Sequence, residues 1–201
     1  VTPGLAAAQV EVGARLGLGL PVGDAVKSAP LSRELSWQLP IQLEAEARPF
    51  KKLPALAVGG YLGYGVGGVG DVCVSSASCS GHTLDLGVQA TWHFPIVKKL
   101  GASPWAGAGL GYGWAADEVS IGGDERTVKL RGPQLRLMGG AEWRLRDRFA
   151  VGPFVQCGIG RYGWLEVSSP LGTSSGAPPD AALHAWLGFG VRGAFEVVPA
   201  R

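Results

Sequence analysis

The 201-residue chain is predicted to be all-β: one domain over 1–201, folded as a closed eight-stranded antiparallel up-and-down transmembrane β-barrel. Three observations predict it. Eight segments alternate with period two, the pattern of strands with two unlike faces. The connections between them run long, short, long, short to the end of the chain. Aromatic residues gather at both ends of the segments. Composition agrees, because glycine is 33 of 201 residues and charged residues are only 17%, against about 25% in typical soluble domains. Mean hydropathy is +0.18, yet no run of about 18 apolar residues is present to span a bilayer as a helix. A membrane form must then be a barrel, since only helices and closed barrels satisfy their backbone in lipid.

The first strand runs from about Val10 to Val22, with Val10, Val12, Leu16, Leu18 and Leu20 on one face and Glu11, Gly13, Arg15 and Gly17 on the other. A polar loop over 23–35 leads to the second strand, Ser36 to Arg48. There Trp37, Leu39, Ile41 and Leu43 oppose Gln38, Gln42, Glu44, Glu46 and Arg48. Pro40 lacks a donor and predicts a bulge or irregularity. The third strand, about Ala55 to Gly68, sets Val58, Leu62, Tyr64 and Val66 against Tyr61 and glycines. The fourth, Leu84 to Ile96, sets Leu84, Leu86, Val88, Trp92 and Phe94 against Asp85, Gln89, Thr91 and His93.

The fifth strand is the stretch beginning at Trp105. From Ala106 one parity reads Ala, Ala, Leu, Tyr, Trp; the other is glycine at 107, 109, 111 and 113. Glycine packs nothing and weakens a strand, so four on one face imply a cramped space filled by long side chains from elsewhere. Asp117 to Arg126 reads as an acidic loop. The sixth strand, about Lys129 to Arg146, sets Leu135, Leu137, Trp143 and Leu145 against Gln134, Arg136, Met138, Glu142 and Arg144, with a bulge expected at Gly132-Pro133. The seventh, Phe149 to Val167, is followed by a loop rich in Gly, Pro and Ser over 168–180. The eighth, Leu183 to Val197, sets Leu187, Phe189, Val191 and Phe195 against His184, Trp186, Arg192 and Glu196. Odd strands begin near 10, 56, 105 and 149, so the chain is four hairpins end to end.

A soluble ligand-binding barrel would put the apolar face inward and a charged face in water. Here the second face is glycine, glutamine and a handful of charges, which suits the narrow interior of an eight-stranded barrel. The apolar face then meets lipid. Two aromatic girdles are expected to bound it: Trp92, Trp105, Trp143, Phe149 and Phe195 at the short-turn end, and Trp37, Tyr64, Tyr112, Trp114 and Trp164 at the long-loop end.

In strand count, loop alternation and face pattern the chain resembles the eight-stranded outer-membrane barrels of the OmpA/OmpX type. The final strand, Gly190 to Phe195, is loosely similar to their C-terminal assembly signal, although Glu196 to Arg201 follow it. The resemblance implies the cell outer membrane of a Gram-negative bacterium, with short turns toward the periplasm and long loops outside. It also implies lipid and lipopolysaccharide as neighbours of a monomeric barrel. Net charge is +2 without a basic patch, so nucleic acid is not expected. Val1–Gln9 lacks the charged and apolar regions of a signal peptide, so a mature form is expected.

The expected lumen network holds six acids, Glu11, Glu44, Glu46, Asp85, Glu142 and Glu196, and five arginines, Arg15, Arg48, Arg136, Arg144 and Arg192. This near balance implies pairing, since buried charges require partners. Cys73 and Cys79 lie in a polar loop and are expected to form a disulfide in an oxidising compartment, the alternative being two free thiols. Ser80, His82 and Asp85 are the closest Ser/His/Asp grouping, but a triad is recognised by geometry. No enzyme activity, metal or cofactor is expected, because no metal spacing or phosphate loop stands out. Two roles remain: a structural or surface-interaction barrel plugged by its own charges, or a narrow gated pore.

Overall fold

A computed structural model describes residues 9–27, 29–70, 73, 77–178 and 180–198. The elements are β1 (Gln9–Val26), β2 (Ala29–Pro30), α1 (Leu31–Glu34), β3 (Leu35–Arg48), β4 (Leu56–Val69), β5 (Ser78–His93), β6 (Ala102–Ile121), β7 (Asp124–Arg146), β8 (Phe149–Arg161), β9 (Trp164–Ser169), β10 (Gly172–Gly176) and β11 (Leu183–Val198). Eight of them close a ring in the order β1-β3-β4-β5-β6-β7-β8-β11, each antiparallel to its neighbours, with β11 returning to β1. Closure leaves no unpaired edge, which is what a strand-spanning membrane protein needs.

Alternation sets the two surfaces. Leu16, Ile41, Val88, Leu110, Val155 and Val191 point outward and are more than half exposed, Val88 and Leu110 reaching 65% and 64%. Side chains of that size bare in a folded chain form a lipid-facing belt.

The glycine-rich face of β6 is occupied as its composition requires. Tyr61, from β4, lies across Gly87, Gly109 and Gly111, and a methyl on Gly111 would collide with its hydroxyl. Thr91 and Met138 crowd Gly107. Gly111→Val is therefore expected to cost about 1–3 kcal/mol by overpacking. Gly176→Val, in β10 with open space around it, should leave the urea midpoint of the refolded protein unchanged.

Three features depart from the sequence reading, and the irregularity expected at Pro40 is present without a bulge. The 117–126 segment is not a loop: β6 and β7 run on as a hairpin from Ala115↔Leu130 to Ile121↔Asp124. Its turn residues Gly122 and Gly123 have φ of 61° and 98°, the left-handed pair that a two-residue hairpin turn demands. No bulge occurs at Gly132-Pro133, because Gly113↔Gly132 and Tyr112↔Pro133 keep the register of the whole β6–β7 ladder. The irregularity lies on the other edge of β7, where β8 ends and β9 takes over as partner. Pro40 interrupts pairing with β1 between Leu16↔Ile41 and Gly19↔Gln38 without shifting register, and pairing with β4 continues through it. The predicted seventh strand divides into β8 and β9.

Beyond the outer girdle the ends of β5, β6 and β7 continue with β9 and β10 as one sheet. Cys73 and Cys79 are joined in a disulfide near the far end of this extension, where Cys79 has already entered β5 opposite Val119.

Candidate functional site: the lumen and its outer cap

The lumen is built around Arg192, which is 1% exposed. β11 places it directly opposite Arg15 on β1, and β3 brings Glu44 between them. Glu44 pairs with Arg15 at 2.7 Å and accepts from Arg192 Nε. Arg192 also donates to Glu142 of β7 and to Glu11 of β1, the latter at 2.8 Å, with Glu46 3.8 Å away. Like charges facing each other across a ladder are unfavourable. Here the Arg15↔Arg192 and Glu11↔Glu46 pairs interleave, so Arg15 meets Glu44 and Arg192 meets Glu11 and Glu44, while Glu46 rests on neutral donors. Gln89 donates to both Glu44 and Glu46 at 2.8 Å, and Thr91 donates to Glu46 at 2.9 Å.

Trp105 corrects one girdle assignment. It is 3% exposed and sits inside the barrel, with Arg15 and Arg192 over its ring at 5.1 Å and 5.3 Å. It shares the parity of Gly107, Gly109, Gly111 and Gly113, so alternation itself turns it inward. The ring supplies a π-face to two cations that cannot reach water. Phe154 lies under Arg15 from β8, and Met138 Sδ accepts from Arg15 at 2.9 Å.

The other site residues fall in three places. Arg136 pairs with Asp85, donates to Gln42 and lies over Tyr61 at 4.1 Å. Arg48 reaches Glu11 at 3.7 Å near the short-turn mouth. Arg144 and Glu196 form a separate pair at 2.7 Å on that rim, where the arginine side chain is 61% exposed; they do not join the network around Arg192. Trp37, Tyr64, Trp92, Trp143, Phe149 and Phe195 are exposed on the outer surface, with Tyr112, Trp114 and Trp164 half-buried. Tyr64 and His82 meet there through Oη and Nδ1 at 3.0 Å. His82 and Asp85, at opposite parity in β5, face opposite sides of the wall, so the Ser80/His82/Asp85 grouping is not assembled.

Two cavities flank the network. Toward the short turns a vestibule of about 500 Å³ is lined by Glu11, Arg48, His93, Glu142, Arg144 and Glu196. Toward the long loops a polar chamber of about 60 Å³ lies among Gln38, Gln42, Gln134, Arg136 and Gln156. Above that chamber the short α1 tucks into the mouth. Leu31, its first residue, and Leu35, just after its end, pack with Ala25, Ala115, Val128, Leu130 and Tyr162 into an apolar cap. Sequence reading missed the cap because its residues are scattered over five segments.

Asp117 lies beside the cap, beyond the outer girdle, and is 2% exposed. Burial, then the carboxylate of Glu34 on α1, push its carboxyl up to about 7, against the pull of the Arg126 guanidinium. One oxygen of each acid, Asp117 Oδ2 and Glu34 Oε2, is buried without a hydrogen-bond partner.

No protein-family model matches the chain, and no curated protein sequence does. Among solved structures, a major outer membrane protein from Thermus thermophilus superposes with a TM-score of 0.67 at 15% identity, covering 94% of this chain and 99% of that one. The chain is a β-barrel of the outer-membrane type. Neisserial surface protein A is similar at a TM-score of 0.49 and 13% identity, over 92% of this chain and 95% of that one. Ail, the attachment invasion locus protein of Yersinia pestis, is similar at 0.46 and 11%, over 92% and 97%. The fold and the chain's own apolar belt place it in the bacterial outer membrane.

Proposed function

We propose that this barrel is a structural or surface-interaction protein of the outer membrane, acting through the sheet that rises from its outer end, with a lumen plugged by its own charges. The observation that carries the reading is Arg192, held in mid-lumen by Glu11, Glu44 and Glu142 from three other strands. An eight-stranded barrel is barely wide enough for its own side chains. A cross-braced arginine at its centre, with an apolar cap above, leaves no wide water path. The outer sheet supports the surface role: five strands present ordered backbone well clear of the bilayer. Arg131 over Trp164 at 4.8 Å and the nearby Lys129 set cations just above the aromatic belt, suited to the phosphates of lipopolysaccharide. The barrel acts by binding and support, without catalysis, and as a monomer.

Reconstitution into planar bilayers tests the plug. The wild-type protein is expected to give no resolved openings, or small ones. Steps of wide-porin size would overturn the reading in favour of a pore.

A further inference from the structure

We infer that the inner vestibule contains a site for a divalent transition-metal ion, made by Glu11 of β1, Glu46 of β3 and His93 at the end of β5. One ligand atom from each residue lies within 4.8 Å of the others. Glu11 and Glu46 stand directly opposite on paired strands, and His93 projects from the next wall but one. Small side-chain rotations bring such a set to the roughly 3.5 Å donor separations that metal bonds of about 2.0–2.2 Å at tetrahedral angles require.

Three independent observations point to a cation here. The first is His93 Nε2, which is buried and has no hydrogen-bond partner. A ring nitrogen in that state is either an unused donor or an unused acceptor, and it sits beside two carboxylates. The second is the charge count. Glu11, Glu44, Glu46 and Glu142 crowd around two fully buried guanidiniums, Arg15 and Arg192. The third nearby cation, Arg48, stands off at 3.7 Å from Glu11, and its Nε is also unpartnered. Glu46 has neutral hydrogen-bond donors, Gln89 and Thr91, but no cation closer than 3.8 Å. The third is access: Glu11 and His93 line the vestibule of about 500 Å³, which gives an ion a path in and leaves the fourth coordination position to water.

The donor set decides the class of ion. One imidazole nitrogen and two carboxylate oxygens suit Zn²⁺, whose open sites are built from such ligands. Ca²⁺ takes six to eight oxygens and finds too few here, and both it and Mg²⁺ prefer oxygen ligands and leave an imidazole nitrogen unused. Bound metal would tie β1, β3 and β5 together across the lumen, at the end of the network opposite the cap. Arg48 is the built-in competitor, since its guanidinium stands 3.7 Å from Glu11 Oε2 and competes for the same carboxylate.

The test is titration of ZnCl₂ into tag-free, chelator-stripped barrel refolded in detergent, followed by calorimetry. One ion per barrel is expected. His93→Ala and Glu46→Gln should each weaken binding at least tenfold, whereas His82→Ala and His184→Ala should not change it. Arg48→Gln should tighten binding, a response that a stray surface histidine would not give. Heat-modifiable gel migration confirms that each variant is folded; His93 is at a strand end and only half-buried, so that variant keeps the test decisive if Glu46→Gln misfolds. Absence of stoichiometric binding, or binding that survives His93→Ala unchanged in a folded barrel, overturns the site. A calcium titration matching zinc would overturn the assignment of ion class.

Discussion

Arg192→Ala is expected to lower the stability of the refolded barrel by about 3–5 kcal/mol, the usual consequence of removing one member of a buried ion pair. The removed guanidinium leaves Glu11, Glu44 and Glu142 facing one another in a lumen that water does not reach freely. Trp105 loses one of its two cations at the same stroke. Arg192→Lys should rescue only part of the loss, because a point charge cannot replace a fork that engages three strands at once. Arg144→Ala is the control: its guanidinium lies at the rim with the side chain 61% exposed, and pairs screened by solvent contribute about 0–1 kcal/mol. Urea unfolding in lipid vesicles measures the stabilities, and bilayer recordings of the same variants measure current. The plug reading requires Arg192→Ala to raise conductance as well. Wild-type values of both stability and current in Arg192→Ala would sink it.

Asp117→Asn is expected to abolish a pH dependence that the wild-type protein carries between about pH 4 and pH 7. The folded-state carboxyl titrates near 7 and the unfolded one near 3.9. Between those values the folded chain holds the extra proton, so stability falls as pH rises. Below pH 4 both states are protonated and the full advantage is present; above pH 7 it is gone. The total is about 4 kcal/mol as an upper figure, at about 1.4 kcal/mol per pH unit. The asparagine variant should therefore lose this component, gaining on wild type steadily from pH 5 to pH 8 and being the more stable of the two at pH 8. Glu34→Gln should narrow this window from its upper end, because the Glu34 charge helps to hold the Asp117 proton. The difference between wild-type and variant unfolding midpoints at pH 5 and pH 8 decides it, and a difference that is the same at both values would show that Asp117 is not held protonated.

Sequence alone determined the number of barrel strands, the lipid-facing belt and the end of the barrel at which the chain makes its long excursions. Each of these is a period-two or spacing property that one strand carries by itself. Even Trp105 was legible: its parity with Gly107 to Gly113 turns it inward, and only its chemical likeness to a girdle residue misled. What a strand does not carry is the relation between strands that are not neighbours. Glu44 meets Arg192 because β3 and β11 both pair with β1 at particular registers, and registers across a closed barrel follow from its shear. Asp117 looked like a loop acid because the turn signal Gly122-Gly123 sat inside a polar run, and polar runs also form exposed hairpins. Its burial depends on α1, a four-residue helix from a different connection that has no hydrophobic period of its own. The cap, the Asp117–Glu34 pair and the meeting of Glu11, Glu46 and His93 arise only when the ring closes, since closure alone brings residues from distant strands to the same height.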